Sequence, residues 1–178
     1  GHDIAKTPVQ ELAQSAGMLF QDPEWMFATL KDEDEIAFGP ENLRRDPKQI
    51  LESVEQSLNF VGLQHLRKNL VWALSGGQTQ KLGLASVIAM EPPLIILDEP
   101  TANLDSKTGT SILKLMRDIN RESGTTFVFS THDRKVMNMA DRLVRIADGQ
   151  IIALGMRADD RWVFVEGRTP RDEDIREI

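Results

Sequence analysis

Residues Leu94 to Glu99 read LIILDE, which is four apolar residues followed at once by two carboxylates. A short run that is apolar at every position is typical of a strand buried on both faces, as in parallel sheets covered by helices. Ligand-binding groups of such sheets lie beyond the carboxyl ends of the strands, where Asp98 and Glu99 follow. The stretch therefore predicts a buried strand with an acidic site at its end. A strand that ends in a solvated acidic turn is an equal alternative from this hexapeptide alone.

Strand and helix signals alternate on both sides of this stretch. The predicted strands are short and apolar, and they cover residues 16 to 20, 94 to 97, 125 to 130, 143 to 147 and 151 to 154. Helices are predicted at residues 75 to 90 and 106 to 122, and an Asp-Gly turn separates the last two strands. This alternation predicts an α/β fold with a mainly parallel sheet flanked by helices.

The segment from residue 22 to residue 74 has a different character, with charge clusters, turn signals and amphipathic helical spacing. We expect it to form a helical subdomain. The core α/β part then comprises residues 1 to 21 and 75 to 154. Residues 155 to 178 form a C-terminal extension with one further strand predicted at residues 162 to 165.

The composition excludes several classes of protein. The chain has 178 residues, with 21 Lys and Arg, 28 Asp and Glu, a net charge of -7 and no cysteine. The absence of cysteine excludes a disulfide scaffold, a thiolate zinc site and a cysteine nucleophile. The acidic balance argues against nucleic acid as a partner, because that affinity comes mainly from Lys and Arg. No apolar run approaches the roughly 20 residues that cross a bilayer, so we expect a soluble protein.

A second motif lies directly before the helix predicted at residue 75. Residues Leu74 to Gln78 read LSGGQ, in which Ser75 is a good N-cap and Gly76 and Gly77 let a ligand approach the backbone closely. The free N–H groups and the positive end of a helix favour an anion such as phosphate. An ordinary capped helix start is the alternative for this motif taken alone.

Three further polar residues belong to the same pattern. Gln21 follows the first strand, His132 follows the strand at residues 125 to 130, and Asp105 closes the loop after Glu99. If the strands are parallel, all three leave the same edge of the sheet. An amide can reach a metal or its water, and a histidine can hydrogen-bond a phosphate or a carboxylate. Taken singly, each is more often structural.

Together these motifs resemble the ATP-binding cassette (ABC) ATPase family, which has the P-loop NTPase fold. The resemblance runs from about Ala16 to Leu154, and in order the motifs match the Q-loop, signature motif, Walker B strand, D-loop and switch histidine of that family. Residues 20 to 24, 36 to 43 and 89 to 92 are most similar to the ATPase subunits of energy-coupling-factor and cobalt-type importers.

The resemblance implies a role for each residue at the ends of the strands. Glu99 would be the general base of ATP hydrolysis, and His132 would sense the γ-phosphate. Gln21 and Asp98 would act at Mg²⁺. The implied function is an ATP-hydrolysing subunit of an ABC transporter, with a metal ion or a vitamin as the imported solute.

The resemblance also implies partners. Ser75 to Gln78 would bind the nucleotide in a head-to-tail dimer with a second ABC ATPase domain, and Asp105 would couple the two sites. The segment from Gln21 to Phe27 would contact a transmembrane permease subunit, which places the protein peripherally at the cytoplasmic face of the membrane. The apolar residues Trp25, Met26 and Phe27 fit either that contact or an ordinary buried core.

One motif of the family is missing from this sequence. The P-loop, G-x-x-x-x-G-K-[ST], cradles the phosphates, and the chain contains no Gly-Lys dipeptide. We therefore expect the chain to begin within the ATPase core, truncated at its N-terminus, and to bind ATP weakly or not at all when isolated. Three explanations stay open: a piece of a longer ABC ATPase, a truncated subunit that donates its signature motif to a complete partner, and a non-hydrolytic module that docks on one.

Overall fold

The computed structural model describes residues 5 to 102, 104 to 158 and 161 to 166. The chain divides into two compact units, Gly1–Asp133 and Arg134–Ile178. The finer division predicted above, into a core, a helical subdomain and a C-terminal extension, stays a prediction. Two predictions fall on residues outside the described ranges: the start of the chain within the ATPase core, at Gly1, and the part of the C-terminal extension after residue 166.

The first unit contains the predicted parallel sheet. Its strands are β1 (Ala16–Leu19), β2 (Leu94–Asp98) and β3 (Thr126–Ser130), and they lie in the order β1-β2-β3 with every pair parallel. The acidic strand is therefore central. Leu19 and Leu97 lie opposite each other in the ladder, and neither is exposed to solvent. The prediction of a buried strand at LIILDE is confirmed.

Helices occupy most of the rest of this unit. They are α1 (Val9–Ser15), α2 (Asp32–Asn42), α3 (Pro47–Val61), α4 (Gly76–Ile88) and α5 (Ser106–Ser123). One-turn 3₁₀ helices are formed by Pro23–Met26, Gln64–Leu66 and Val71–Ala73. The segment between residues 22 and 74 is thus helical, as its pattern predicts.

Local signals account for several helix ends. The Asp46 side chain caps α3 by accepting a hydrogen bond from the Lys48 N–H at 2.9 Å, and the Gln49 amide oxygen accepts one from the Asp46 N–H. Gly62 ends α3 with φ of +73°, and Gly124 ends α5 with φ of +72°. Glycine adopts this left-handed conformation without strain, so both stops follow from the sequence.

The α4 helix joins the helical layer to the sheet. Helices α2, α3 and α4 pack around one apolar cluster, whose buried members are Ile36, Val54, Leu58, Val61, Leu63, Val71, Leu82, Ala85 and Ala89. Another side of α4 contacts β1, where a Cβ on Gly83 would lie 2.8 Å from Leu19 Cδ1 and 2.9 Å from Pro23 Cβ. The start of α4 is therefore positioned by contacts on two sides.

This close approach of α4 to β1 makes Gly83 a test of the packing. We expect Gly83→Ala to destabilise the protein by about 1 to 3 kcal/mol, because the added methyl group overlaps the buried Leu19 and the Pro23 ring. Gly109→Ala in α5 is the matched control. Its Cβ would lie 3.6 Å from Thr101, so the higher helix propensity of alanine should stabilise by up to about 1 kcal/mol. Urea unfolding followed by circular dichroism measures both, and equal effects would contradict this packing.

Two carboxylates of the α2 charge cluster are buried. Glu35 accepts hydrogen bonds from the Ala28 N–H at 3.0 Å and from the N–H and hydroxyl of Thr29, each at 2.9 Å. Asp32 is fully buried, and neither of its carboxyl oxygens has a partner among the described residues. Burial without a partner raises the pKa of Asp32 to about 6.

The second unit contains an antiparallel sheet that is separate from the parallel one. Helix α6 (Arg134–Met139) is followed by strands β4 (Arg142–Ala147), β5 (Gln150–Ala158) and β6 (Arg161–Glu166), paired in that order. Asp148 and Gly149 both have positive φ, of +52° and +74°, which is the two-residue hairpin turn that the Asp-Gly pair predicts.

The structure changes two details of the predicted sheet. The predicted α/β fold with a mainly parallel sheet is confirmed by β1 to β3, and β4 to β6 form a second, antiparallel sheet in which the two-residue turn joins β4 to β5. Strand β5 also continues to Ala158, beyond its predicted end at residue 154, because β6 pairs along that added length. Within the described ranges, no helix has the length and apolar character that a membrane span requires.

Candidate functional site

Polar residues follow the carboxyl ends of all three parallel strands. Gln21 comes after β1, Asp98 and Glu99 end and follow β2, and His132 comes after β3. The Glu99 N–H donates to the Ser130 carbonyl at 2.8 Å, which extends the β2–β3 ladder by one bond. Since the strands are parallel neighbours, these four residues leave the sheet at the same edge, as expected for Gln21 and His132, whereas Asp105 lies at the start of α5.

The backbone of Glu99 is strained. Its φ is +41°, in a region that residues with a Cβ adopt rarely. Such a conformation costs on the order of 1 kcal/mol or more and persists where surrounding contacts impose it, often at functional sites. The strained turn places the Glu99 carboxylate over the end of β3.

Three hydrogen bonds hold the Glu99 carboxylate in place. Oε2 accepts from the Thr131 hydroxyl at 2.9 Å, and Oε1 accepts from the His132 N–H at 3.1 Å. Oε1 also lies 2.6 Å from His132 Nδ1. The Glu99 side chain is mostly shielded, with 20% of its surface exposed, whereas the His132 side chain is 91% exposed. The carboxylate is therefore oriented from the protein side, and the imidazole faces solvent.

These contacts set the charge state of Glu99. Burial raises the pKa of this carboxyl, but the hydrogen bonds from His132 and Thr131 together outweigh it and hold the pKa below its ordinary value. Glu99 is therefore a carboxylate at neutral pH. It can accept a hydrogen bond or a proton from a water molecule.

Thr131 is a residue that the sequence reasoning missed as part of the site. Its hydroxyl donates to Glu99 and accepts from the Asp133 N–H at 3.0 Å. The Asp133 carboxylate in turn accepts from the Thr101 hydroxyl at 2.9 Å. This network links the loop after β2 to the loop after β3. A hydroxyl directly before His132 is the only signal in the sequence that could have pointed to it.

The LSGGQ motif lines a separate cavity of about 390 Å³. The lining residues are Ser75, Gly76, Gly77, Gln78, Lys81, Leu104, Asp105 and Thr108. Ser75 is the N-cap residue of α4, as predicted, and its N–H donates to the Gln78 amide oxygen at 2.8 Å. The first-turn N–H groups of a helix have no partner within the helix, so this cavity contains donors suited to an anion.

Glycine at position 77 is required by a close contact. A Cβ there would lie 2.6 Å from Thr108 Cγ2, so the approach of α4 to α5 excludes a larger residue. Gly76 has open space around it, with nothing within 4 Å of a Cβ. Gly77 is thus explained by packing, and Gly76 leaves room in the cavity.

Asp105 is the N-cap of α5. Its carboxylate accepts from the N–H groups of Lys107 at 2.9 Å and of Thr108 at 3.0 Å, and from the Thr108 hydroxyl at 2.5 Å. The hydrogen bonds from Thr108, followed by those from the helix backbone, hold the pKa of Asp105 below its ordinary value. The predicted coupling role of Asp105 stays a prediction, and its capping role within this chain is clear.

Gln21 and Asp98 have the donor chemistry that a magnesium ion needs. They follow neighbouring strands, and their amide and carboxylate oxygens are hard ligands of the kind Mg²⁺ binds together with water and phosphate oxygens. In the part of the chain that the structure describes, no group of three or more His, Cys, Asp or Glu side chains could hold a metal by itself. Gln21 and Asp98 therefore fit a metal site in which oxygen atoms of a bound ligand complete the coordination.

The structure does not bring all of the predicted residues together at one place. Glu99 and His132 are in direct contact, and Asp98 adjoins them along β2. Ser75 to Gln78 and Asp105 line the other cavity, whose lining residues do not include Glu99 or His132. Gln21 lines a neighbouring cavity of about 400 Å³ together with Gly76 and Trp25. One chain therefore presents two distinct polar surfaces.

The profile of the ABC transporter family matches residues 1 to 102. The energy-coupling factor transporter ATP-binding protein EcfA1 of Clostridium perfringens is 41% identical over 147 residues, which is 82% of this chain and 52% of that protein. The chain thus spans about half the length of this relative.

Two solved structures are similar to this chain. One is cbiO1 of Clostridium perfringens, described as part of the ABC transporter complex cbiONQ, with a TM-score of 0.79 and 31% identity over 86% of this chain and 62% of that one. The other is a bacterial ABC transporter cassette solved as a dimer, with a TM-score of 0.73 and 27% identity over 83% of this chain and 65% of that one.

Proposed function

This chain belongs to the ABC transporter family of ATP-binding proteins. We propose that it is part of an ATPase subunit that powers import across a membrane, and that it contributes the catalytic carboxylate and the signature motif to that subunit. The observation that carries the proposal is the Glu99 carboxylate, ionised and oriented by Thr131 and His132 at the end of the central strand. Relatives named for energy-coupling factor transport support an importer, and a metal ion or a vitamin is the solute we propose.

The residues at the strand ends would act on the water and the γ-phosphate. Glu99 orients the attacking water and accepts its proton, while the exposed His132 faces the γ-phosphate. Gln21 and Asp98 would hold Mg²⁺, and the bound ion would neutralise charge on the phosphates. His132 and Glu99 are in direct contact, so a movement of His132 that follows a change at the γ-phosphate also affects the Glu99 carboxylate.

The signature cavity would serve a second nucleotide in a head-to-tail dimer. Ser75 to Gln78 line a cavity whose lining residues do not include Glu99, so one chain does not bring its own base to its own signature motif. Pairing with a second ABC ATPase domain brings the two surfaces together, with Asp105 at the junction. The solved dimer of a similar cassette supports dimerisation in general.

The segment from Gln21 to Phe27 is the proposed contact with a transmembrane permease subunit. Trp25 is 90% exposed, whereas Phe27 packs against the apolar cluster of α2, α3 and α4. The two interpretations of this apolar group therefore apply to different residues. An exposed indole beside a half-buried phenylalanine suits a partner's helix. With this contact, the protein would lie peripherally at the cytoplasmic face of the membrane.

Without a P-loop, the main phosphate-binding element is missing from this sequence. We propose that the 178-residue chain by itself binds ATP weakly and does not turn it over. The chain would act either within a longer ATPase or with a partner that supplies a P-loop.

A substitution at Ser75 tests the role of the signature cavity. In the full-length protein we expect Ser75→Arg to lower ATP turnover about tenfold, because a long cation fills the cavity and replaces the N-cap of α4. Ser111→Arg, on the exposed side of α5, is the matched control and should leave turnover unchanged. Steady-state ATPase assays measure both variants, and circular dichroism checks that both are folded.

The outcomes also separate the alternatives. If ATP turnover of Ser75→Arg equals that of the control, the signature cavity has no role in turnover. A wild-type protein that turns over no ATP alone, but stimulates a complete ABC cassette in a way that Ser75→Arg abolishes, would identify a subunit that donates its signature motif. Binding to such a cassette without any change in its turnover would identify a docking module.

A further inference from the structure

A hydrogen bond joins the loop after β2 to the loop after β3 close to Glu99. The Thr101 hydroxyl donates to the Asp133 carboxylate at 2.9 Å, although the two residues are 32 positions apart in the sequence. Both residues are half-buried, and neither is among the site residues that the sequence predicts. A hydrogen bond to a carboxylate is stronger than one between neutral groups, so this contact can fix the two loops relative to each other.

Thr101 belongs to the turn that begins at Glu99. The Ala102 N–H donates to the Glu99 carbonyl at 2.9 Å, which closes a four-residue turn with Pro100 at its second position, where proline is favoured. This turn follows the strained Glu99 backbone, whose φ is +41°. Such a conformation persists only where surrounding contacts impose it. Thr101 is thus connected to the backbone of Glu99 by a short, closed turn.

Asp133 is connected to the carboxylate of the same residue. Its N–H donates to the Thr131 hydroxyl oxygen at 3.0 Å, and that hydroxyl donates to Glu99 Oε2 at 2.9 Å. A threonine hydroxyl has a single proton, so the N–H group at its oxygen directs this proton to Glu99. The His132 N–H, between these two residues, donates to Glu99 Oε1 at 3.1 Å. The position of Asp133 therefore affects two of the donors that orient the carboxylate.

These contacts form a closed ring that starts and ends at Glu99, and the Thr101–Asp133 bond completes it. We propose that Thr101 is a positioning residue for Glu99, whose carboxylate it holds towards the attacking water by fixing the two loops relative to each other. The inference rests on the proposed role of Glu99 as general base. Thr101 lines neither of the two cavities described above, so its effect should fall on hydrolysis and not on nucleotide binding.

Steady-state ATP turnover of the full-length protein tests this role. We expect Thr101→Val to lower kcat about tenfold and to leave KM for ATP within about twofold, because a displaced base slows proton transfer and not binding. Valine has the shape of threonine and keeps the packing beside Gly109, where a Cβ would lie 3.6 Å from Thr101. Thr101→Ser keeps the hydroxyl and should restore kcat to within about threefold of the wild type.

Two comparisons distinguish positioning from a structural role. Thr110→Val makes the same chemical change at an exposed position of α5, where the hydroxyl donates to the Ser106 carbonyl of the same helix, and it should match the wild type. In a Glu99→Gln background, Thr101→Val should lower the residual turnover by less than about twofold, because the base that Thr101 positions is already absent. A structural defect would lower turnover equally in both backgrounds.

The outcomes separate this inference from the proposed function. A kcat of Thr101→Val equal to that of Thr110→Val, with both variants folded by circular dichroism, overturns the inference alone. A fall in kcat that Thr101→Ser does not restore, or that is equal in the Glu99→Gln background, also overturns it. If Glu99→Gln itself retains wild-type turnover, the proposed function of Glu99 is overturned together with the inference.

Discussion

Replacing Glu99 by glutamine is expected to lower ATP turnover of the full-length protein by about 10² to 10⁴, the range that a general base contributes. Glutamine keeps the size of the side chain and can still accept the hydrogen bond from Thr131. It cannot take a proton from the attacking water. With binding preserved and hydrolysis stopped, an ATP-bound dimer should accumulate, visible by light scattering with ATP and absent with ADP.

The control for this variant is Glu122→Gln, an exposed glutamate in the last turn of α5 that makes the same chemical change away from the site. It should retain wild-type turnover and form no persistent dimer. Turnover in Glu99→Gln within threefold of the wild type would show that another group accepts the proton. Loss of turnover without an ATP-dependent dimer would point to misfolding, which a urea melt would reveal.

Asp32→Val is expected to stabilise the protein by roughly 2 to 3 kcal/mol at pH 7.5, the largest stability change we expect for a single residue. Asp32 is buried at the start of α2 without a partner for either carboxyl oxygen, and its pKa is raised to about 6. At pH 7.5 the folded protein must therefore hold an unpaired charge in its interior. Valine removes this charge together with the two buried oxygens that have no partner.

The sign of the pH dependence follows from the raised pKa. Between about pH 4 and pH 6 the folded state binds a proton at Asp32 that the unfolded state has released, so this group makes stability fall as pH rises through that window. Above about pH 6 the decrease in the free energy of unfolding caused by Asp32 no longer changes with pH. The advantage of Asp32→Val should therefore be largest at pH 7.5 and shrink to roughly 1 kcal/mol at pH 4, where an uncharged but unpaired carboxyl is all that it replaces.

Two neighbours in α2 provide controls for this prediction. Asp34→Asn changes an exposed carboxylate and should leave the free energy of unfolding unchanged. Glu35→Gln changes a buried carboxylate that accepts three hydrogen bonds and should destabilise by about 1 to 2 kcal/mol. Urea unfolding at pH 4 and pH 7.5 measures all three variants. An Asp32→Val gain that is the same at both pH values would contradict the raised pKa.

The contrast between Asp32 and Glu35 shows where sequence reasoning stops. Both lie in one run of acidic residues before an apolar segment, and their types do not distinguish them from Asp34, which is exposed. The partners of Glu35 come from a loop six and seven residues earlier, while Asp32 is enclosed without any partner. Whether a given carboxylate is buried depends on which helices pack over it, and the local spacing of residue types does not determine that packing.

Trp25 and Phe27 give the same lesson for apolar residues. Three consecutive apolar side chains predicted either a buried core or a docking surface, yet Trp25 is exposed and Phe27 is packed. A single turn of 3₁₀ helix between Pro23 and Met26 separates their directions. Composition could indicate that the segment is apolar but not which of its members faces solvent.

Strand and helix periodicity, helix caps and turn glycines determined most of the fold from the sequence alone, because each depends on residues close together in the chain. The capping box at Asp46, the Asp148-Gly149 turn and the buried LIILDE strand are of this kind. The order of the motifs also determined the family. Only the tertiary structure decided how Thr131 holds Glu99 and that Asp32 lacks a partner. These depend on contacts between segments distant in the sequence, or on enclosure by them, and such contacts exist only once the chain is packed.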